Sequence, residues 1–417
     1  CIRDRSTTLW ALANAEASDP ASLVRQAAGA DYDIASLEPQ LQRRRKGQSV
    51  TYDVVIVGGG AAGIATAASI LKRNAKVTIA IVDPAKDHFY QPGWTMVGAG
   101  VFTPEQTRKA EADVMPAGVE WLKVAASGFE PDRNAVELAD GRTLTYRVLV
   151  AAPGLRLAWE KIDGLEAALG KNGVTSNYRF DLAPYTHQLV KQVKSGRALF
   201  SQPAMPIKCA GAPQKAMYLS CDIWREAGAL PQIDVEFHNA GAVLFGVATY
   251  VPALMDYIAK YGIDLQLDSN LIAVDGDRRI ATFERKRDGE ITRIEREFDM
   301  LHAVPPQVSL DVVAKSPLAA ASGFIEVDEA TLRHKRYENV FGLGDGAGTS
   351  NAKTAAAARK QAPVVAVNVL AALDGKPPVA DYDGYGSCPL TVERGKIVLA
   401  EFGYGGKLLP SFPAWVV

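Results

Sequence analysis

The fold is decided by the stretch Tyr52-Asp53-Val54-Val55-Ile56-Val57-Gly58-Gly59-Gly60-Ala61-Ala62-Gly63. Its β-branched residues predict a strand, its glycines predict a tight turn, and the residues from Ala61 to Arg73 predict a helix. A second strand is predicted over Lys76 to Asp83, so strand, helix and strand form a βαβ unit and imply a parallel sheet. The uncharged run Val54 to Leu71 has about the minimum length that crosses a bilayer. Its three consecutive glycines favour strand, turn and helix instead.

The glycines of this turn follow the pattern Gly-x-Gly-x-x-Gly at Gly58, Gly60 and Gly63, with Ala62 before the last one. Asp83 follows at the end of the second predicted strand. Such a turn lets the backbone approach a pyrophosphate, and the helix N-terminus presents its N–H groups to the phosphates. The pattern therefore predicts a dinucleotide site, with the pyrophosphate on the glycines and Asp83 accepting from the adenosine ribose hydroxyls.

Two further elements favour FAD over NAD. Phe341-Gly342-Leu343-Gly344-Asp345 delivers a carboxylate at the end of a predicted strand, where Asp345 can bond the ribityl or pyrophosphate part of an extended cofactor. Asp345 could instead be the N-cap of the helix predicted over Ala352 to Leu373. Ala151-Ala152-Pro153-Gly154 supplies an intervening turn, in which Ala152 and Gly154 are candidate cofactor contacts. Together the three elements resemble the flavoprotein disulfide reductase superfamily across most of residues 51 to 375.

The remaining pattern predicts an α/β fold with two Rossmann-like dinucleotide-binding domains and a short C-terminal extension. Further strands are predicted at Val148 to Ala152, Ala198 to Phe200, Ile233 to Phe237 and Val340 to Leu343. We expect five segments: residues 1–48 as an N-terminal remnant and linker, 49–165 and 320–375 as a discontinuous FAD-binding domain, 166–319 as the second domain, and 376–417 as the C-terminal region.

The second domain lacks the usual nucleotide fingerprint. Superfamily members that use a nicotinamide carry a second Gly-x-Gly-x-x-Gly after the first strand of that domain. Here the predicted strand Ala198 to Phe200 runs into Ser201 to Lys215, where no glycine triad occurs and Cys209 stands instead. We therefore expect NADH and NADPH to be poor electron donors.

Composition narrows the function classes further. The 46 Lys and Arg nearly balance the 47 Asp and Glu, so no field of one sign indicates a nucleic-acid partner. The four cysteines are too sparse for a secreted disulfide scaffold and lack a Cys-x-x-Cys metal spacing. We expect no metal site, and any disulfide is expected to be catalytic rather than structural.

Four long blocks, in matching order, resemble the sulfide:quinone oxidoreductase family of the type found in mitochondria and related bacteria. They are Lys208 to Lys215 (KCAGAPQK), His88 to Gly100 (HFYQPGWTMVGAG), Ser350 to Ala356 (SNAKTAA) and Tyr382 to Leu390 (YDGYGSCPL). By this resemblance Cys209 and Cys388 are the two redox cysteines, Gln91 is a candidate cofactor contact, and Lys353 lies near the isoalloxazine, where its charge could stabilise the reduced ring. Lysines are also common on protein surfaces, so the alternative is that Lys353 is an ordinary surface residue.

The resemblance implies that hydrogen sulfide attacks the cysteine pair, giving a persulfide on Cys388 and a thiolate on Cys209 that faces the flavin. Lys208 and Lys215 flank Cys209 and are expected to keep it ionised. Two electrons then pass through FAD to a quinone, and the sulfane sulfur passes to sulfite, glutathione or a growing polysulfide. From the residues alone, the segment around Cys388 could be a simple turn, and Cys221 is expected to be an inert buried thiol on a helix.

Two other functions stay open at this point: a type II NADH dehydrogenase, or an inactive flavin-binding module. A peripheral position is expected, at a bacterial cytoplasmic or mitochondrial inner membrane. Family members continue into amphipathic membrane helices, so attachment and quinone access are open for a chain that ends at Val417. Cys1 to Thr7 resembles the phosphate-loop end of a phosphatase-like or sulfurtransferase domain, which suggests a fragment without activity there. Arg43 to Lys46 is expected to be a solvated charge cluster, with a membrane-surface contact as the alternative.

Overall fold

The structure is a computed structural model that describes residues 51–412. The chain divides into two compact units, Cys1–Thr51 and Tyr52–Val417, and the fold described below belongs to the second. The expectations for the Cys1 to Thr7 loop, the basic run at Arg43 and the N-terminal remnant lie outside the described residues. Among the described residues, no helix is long and apolar enough to span a membrane.

The strands of the described part run in chain order as follows: β1 Thr51–Val57, β2 Ile79–Val82, β3 Asp87–Phe89, β4 Arg108–Ala110, β5 Val119–Leu122, β6 Ala126–Glu130, β7 Ala135–Leu138, β8 Thr143–Ala151, β9 Leu155–Leu157, β10 Val174–Thr175, β11 Gly196–Gln202, β12 Ile233–Asn239, β13 Asp264–Gln266, β14 Ser269–Asp275, β15 Ile280–Arg287, β16 Glu290–Glu297, β17 Met300–His302, β18 Gln307–Ser309, β19 Val340–Gly342, β20 Gly386–Glu393 and β21 Lys396–Phe402.

The α-helices of the same residues are α1 Ala61–Arg73, α2 Trp94–Gly98, α3 Glu111–Val114, α4 Leu165–Ala168, α5 Ala183–Gln192, α6 Ala212–Glu226, α7 Val251–Tyr261, α8 Asp311–Ala314 and α9 Ala355–Leu373. Helix α1 has the predicted bounds. Helix α9 begins later than predicted because Thr354 is its N-cap and accepts from the N–H of Ala357. Asp345 therefore lies well before the helix, and the alternative that made it the N-cap is wrong.

The first sheet has the order β5-β2-β1-β8-β7-β6, with β19 paired to β8. Strand β2 is parallel to β1 and β5, and β19 is parallel to β8. The predicted βαβ unit is thus confirmed, with β2 shorter than predicted. The residues before β2 belong to a turn, in which the N–H of Val77 bonds the carbonyl of Asn74.

The second sheet is parallel throughout, in the order β10-β17-β11-β12-β13. Strands β11 and β12 pair along their whole length, from Gly196 opposite Ile233 to Gln202 opposite Asn239, and α6 follows β11 in the chain. This strand, loop, helix and strand repeat the architecture of β1, α1 and β2. The α/β class with two Rossmann-like units is therefore confirmed.

Several antiparallel elements were not predicted from the sequence, and two of them lie apart from the two Rossmann-like sheets. One is the three-stranded meander β14-β15-β16, and the other is the hairpin β20-β21. Cys388 lies within β20 and pairs with Ala400 of β21, so the interpretation of its segment as a simple turn is wrong. The hairpin packs against α6, because Cys388 and Leu390 share one buried cluster with Met217 and Trp224 of that helix.

Candidate functional site

Two glycines of the first turn are required by the fold itself. Gly58 has a φ of +109°, and a Cβ there would lie 2.2 Å from the carbonyl oxygen of Ala152. A Cβ on Gly63 would lie 1.9 Å from the carbonyl oxygen of Gly58. Side chains cannot occupy these positions without moving backbone. The turn therefore packs directly on the end of β8.

Gly60 differs, because nothing lies within 4 Å of the position that its Cβ would take. Gly60 is the N-cap of α1, and the first N–H groups of a helix lack internal partners. Helix α1 has no acidic residue in its first turn. Gly59 donates its N–H to a carboxylate oxygen of Asp83 at 2.5 Å, which fixes that side chain beside the turn. An open, anion-favouring cradle with an adjacent carboxylate fits the pyrophosphate and ribose of a dinucleotide.

Three separate segments meet at this cradle. A Cβ on Gly344 would lie 2.9 Å from the Cβ of Ala62, at the start of α1. A Cβ on Gly346 would lie 2.9 Å from the carbonyl oxygen of Gly154. Asp345 stands between these two glycines, so the structure brings together the first turn, the turn after β8 and the Asp345 segment.

Glu111 was missed in the sequence and lies against the same turn. It is 2 % exposed, and its Oε1 would be 3.1 Å from a Cβ on Gly59. His88 contacts its other oxygen at 3.3 Å, while Oε1 has no hydrogen-bond partner among the described residues. No local pattern marks Glu111, because it reaches the turn only through the packing of α3.

Charged side chains collect around Asp345. Burial raises the pKa of Asp345, although the nearby Lys208 and Lys353 act in the opposite direction. Burial lowers the pKa of Lys353 to about 8, against the effect of Asp345. Lys353 is 7 % exposed and its Nζ donates to the carbonyl of Ala347 at 2.7 Å, so it is no surface lysine. The Nζ of Lys208 donates to the side-chain oxygen of Gln91 at 2.5 Å.

The loop from β11 to α6 carries Cys209 to this same place. The N–H of Cys209 donates to the carbonyl of Lys353 at 2.8 Å. The backbones of Lys208 and Lys353 pair as an isolated parallel β-bridge. The loop occupies the position where the first Rossmann unit has its glycine turn. The second unit therefore presents a thiol beside the Asp345 cluster.

Cys388 arrives from the hairpin. Its Sγ lies 3.5 Å from the Sγ of Cys209, although the two residues are 179 positions apart in sequence. Gly211 makes this approach possible, since a Cβ there would lie 2.5 Å from the Sγ of Cys388. The Nζ of Lys215 lies 3.7 Å from the Sγ of Cys209, and Lys215 is 4 % exposed. Of the two predicted flanking lysines, Lys215 points its ammonium at the thiol, whereas Lys208 points to Gln91.

The pKa values of the two thiols are shifted in opposite directions. The hydrogen bond with Cys388 is the largest cause that lowers the pKa of Cys209 to about 6; burial opposes it and Lys215 assists it. The pKa of Cys388 is raised well above its ordinary value, first by its hydrogen bond with Cys209 and then by burial. Burial lowers the pKa of Lys215, but the charge on Cys209 and Cys388 outweighs this effect and the net pKa is raised. Cys209 is therefore the more acidic of the two thiols, and the Lys215 ammonium contacts its sulfur.

The third described cysteine, Cys221, has no part in this pair. It is fully buried in α6, and burial raises its pKa above the ordinary value of a thiol. Its position on a helix and its burial agree with the sequence. Reactivity requires a thiolate, so Cys221 provides an internal reference for the two reactive candidates.

Two Rossmann-like units, an open dinucleotide cradle and a cysteine pair define a flavin-dependent oxidoreductase. The sequence pattern of the pyridine nucleotide-disulphide oxidoreductase family matches residues 52–204. This chain belongs to the sulfide:quinone oxidoreductase family, because it is 40% identical over 375 residues to the mitochondrial sulfide:quinone oxidoreductase of Dictyostelium discoideum. That match covers 89% of this chain and 82% of the relative. The mitochondrial enzyme of Mus musculus is 38% identical over 363 residues, or 87% and 80% of the two chains.

A solved structure agrees in fold. The sulfide:quinone oxidoreductase of Aquifex aeolicus superimposes with a TM-score of 0.70 at 17% identity, over 84% of this chain and 86% of the other. The chain is an FAD-dependent enzyme, and the residues around the cradle fit that cofactor: the open side of Gly60, the carboxylate of Asp83, and Asp345 between its two lysines.

Proposed function

We propose that this protein oxidises hydrogen sulfide at the pair Cys209 and Cys388 and passes two electrons through FAD to a quinone. The observation that carries the proposal is the 3.5 Å separation of the two sulfurs beside the Asp345 cluster. The relatives are named for the same overall reaction. The sulfur relay described next is the finer part of the proposal.

In the oxidised pair the two sulfurs are bonded, and hydrosulfide attacks one of them. A new S–S bond forms to the attacked sulfur, the bond between the cysteines breaks, and the other cysteine leaves as a thiolate. The products are one persulfide and one thiolate, so charge and electrons balance without a further reactant. A disulfide needs an S–S distance of about 2.04 Å, so the pair must close from its present separation, or hold one bridging sulfur atom across it.

The unequal acidities select the sulfur that is attacked. A thiol of lower pKa leaves faster in exchange. The pKa of Cys209 is lowered first by its hydrogen bond with Cys388 and also by Lys215, and the effect of Lys215 does not depend on a thiol at Cys388. Attack therefore occurs at Cys388, which keeps the persulfide, while Cys209 leaves as a thiolate. The Lys215 ammonium at 3.7 Å stabilises the negative charge that this step creates.

The cycle closes after the outer sulfur has passed to a nucleophilic acceptor such as sulfite, glutathione or a polysulfide. Cys388 then regains its thiol, and thiol and thiolate together release two electrons and one proton as the S–S bond re-forms. FAD held at the cradle would supply the two-electron acceptor between this cysteine pair and the quinone. Because Cys388 has the raised pKa, it is the residue that holds the proton until this step.

The proposal includes a peripheral position at a membrane, where a quinone is found. Its support is the mitochondrial designation of the relatives. Vesicle co-sedimentation with and without quinone checks it directly: binding to vesicles supports this part, and recovery of all protein in the supernatant counts against it.

The experiment for the relay is anaerobic stopped-flow reduction of FAD-loaded protein by sulfide, with sulfite present as the sulfur acceptor. Cys209→Ser and Cys388→Ser should each retain FAD and lose sulfide-driven flavin reduction by more than about 10⁴-fold, the scale for losing a nucleophile. Serine cannot form a persulfide or leave from a disulfide. Cys221→Ala is the matched control and should reduce its flavin at the rate of the unaltered protein.

Two outcomes count against the proposal. One is sulfide-driven reduction by Cys209→Ser at the rate of the unaltered protein. The other is fast bleaching of the flavin by NADH, since the loop from β11 to α6 contains a cysteine in place of a glycine fingerprint and NADH should leave the flavin oxidised. A flavin that stays oxidised when sulfide and sulfite are both supplied would favour the inactive flavin-binding module.

A further inference from the structure

Cys209 adopts an unusual backbone conformation. Its φ is +52°, in the left-handed region that residues with a side chain seldom occupy. A strained conformation of this kind persists only where surrounding contacts hold it. The contacts on the two peptide groups of Cys209 therefore determine where its sulfur lies.

Both peptide groups are held. The N–H of Cys209 donates to the carbonyl of Lys353 at 2.8 Å, and its carbonyl accepts from the N–H of Ala212 at 2.8 Å. The hydroxyl of Tyr178 donates to the same carbonyl at 3.2 Å and to the carbonyl of Lys208 at 3.0 Å. Tyr178 thus bridges the carbonyls of two successive residues, Lys208 and Cys209, with one proton.

The position of Tyr178 is itself fixed by the second sheet. It follows β10 closely in the chain, is 5 % exposed, and packs with Ile207 and Val304 in a small buried cluster. Burial raises its pKa well above the ordinary value, and charge on Cys209 and Cys388 raises it further. The phenol therefore stays protonated and remains a donor in every state of the cysteine pair.

We propose that Tyr178 is a positioning residue that holds Cys209 in its left-handed conformation and so keeps its sulfur within reach of Cys388. The inference rests on the proposed sulfur relay and names a residue that acts through Cys209 rather than on substrate. Without the hydroxyl, the Cys209 carbonyl loses one of two donors and the backbone relaxes toward the ordinary region. The sulfurs then separate, and Cys209 loses the hydrogen bond that favours its thiolate.

The test compares Tyr178→Phe with Tyr218→Phe in the FAD-loaded protein. Tyr218 is a matched control, since it is fully buried on α6 and its hydroxyl also donates to a backbone carbonyl, that of Leu254 at 3.2 Å. Two quantities are measured anaerobically after reduction: the pH profile of Cys209 alkylation, followed by peptide mass spectrometry, and the rate at which a chemical oxidant closes the Cys209–Cys388 disulfide.

Tyr178→Phe should slow disulfide closure by about tenfold, the scale for misplacing a reacting group by a fraction of an ångström. Its alkylation midpoint should move upward from about 6. Tyr218→Phe should change neither quantity. Unaltered closure and an unaltered midpoint in Tyr178→Phe overturn the inference, and so do equal changes in both variants, because those would reflect a general loss of core packing.

A second pair of variants covers the case in which Tyr178→Phe does not fold. Replacement of Tyr178 by p-aminophenylalanine keeps a donor of similar reach and should restore fast closure, whereas p-methylphenylalanine fills the same space without a donor and should not. Equal closure rates in these two variants contradict the inference. Neither measurement uses sulfide or quinone, so a failure of sulfide to reduce the flavin would count against the proposed function alone.

Discussion

The two Rossmann-like units of this protein solve the same structural problem in opposite ways. In the first, the loop from β1 to α1 is a glycine turn, and Gly60 leaves open space at the helix N-terminus. In the second, side chains and backbone fill the loop from β11 to α6. The N–H of Cys209 forms a hydrogen bond with the carbonyl of Lys353, and Gly211 lies against Cys388. One unit keeps room for a phosphate, and the other uses that room for sulfur.

The fold determines where each site lies, and the residues of the loop determine its chemistry. Ligands of open α/β sheets bind beyond the carboxyl ends of the strands, and both loops lie at such ends. A fold alone does not determine function. Substitutions in the two loops should therefore impair different properties of the protein.

The largest expected effect is the loss of FAD when a side chain fills the open space of the loop from β1 to α1. Gly60→Leu should give folded protein without FAD, because its side chain has free space within the protein and would fill the pyrophosphate position. Flavin absorbance of the purified protein and circular dichroism measure the two properties. Gly246→Leu is the control, since Gly246 also has nothing within 4 Å of its Cβ position. A fully yellow Gly60→Leu protein would contradict the assignment of the cradle.

A smaller effect is expected from enlarging the filled loop. Gly211→Ala places a Cβ only 2.5 Å from the Sγ of Cys388, so the hairpin or the loop must shift. FAD should be retained, and sulfide-driven reduction should fall by roughly ten- to a hundredfold, as for other misplaced reacting groups. Stopped-flow absorbance gives the rate, with Gly246→Ala as control. An unchanged rate would show that the close approach of the two sulfurs is not required.

The smallest effect concerns the charge beside the thiolate. Lys215→Met removes the buried ammonium and should raise the pKa of Cys209 from about 6 by roughly one unit, the low end of the effect of one opposite charge. The thiolate exists above the pKa, so alkylation of Cys209 should slow several-fold near pH 6 and recover at high pH. Lys208→Met is the control, because its Nζ bonds Gln91. If the unaltered protein, Lys215→Met and Lys208→Met show the same pH profile of Cys209 alkylation, Lys215 does not lower the pKa of Cys209.

Local pattern was sufficient for the first unit and insufficient for the second. The bounds of α1 and the turn from Gly58 to Gly63 follow from residue types within one short stretch, and the structure confirms them. The hairpin that carries Cys388 depends on pairing and on packing against α6. Local periodicity contains no such information, and the two cysteines came together in the sequence only through a family resemblance.

Side chains that act through packing were also missed. Glu111 reaches Gly59, and Tyr178 reaches the Cys209 carbonyl, from segments distant in sequence. The left-handed backbone of Cys209 has no sequence signal, because glycine is the residue that usually marks such a conformation. These features belong to the site and not to any single element.

In the proposed relay Cys388 holds the persulfide and Cys209 becomes the thiolate. The position of the persulfide therefore distinguishes the tasks of the two cysteines. Oxidised protein is given one equivalent of sulfide anaerobically without a sulfur acceptor, then alkylated, digested and analysed by mass spectrometry. We expect one additional sulfur atom on the peptide that contains Cys388, and a Cys209 that is alkylated and carries no additional sulfur. An additional sulfur on Cys209 instead, or on neither peptide while the flavin is reduced, would contradict it.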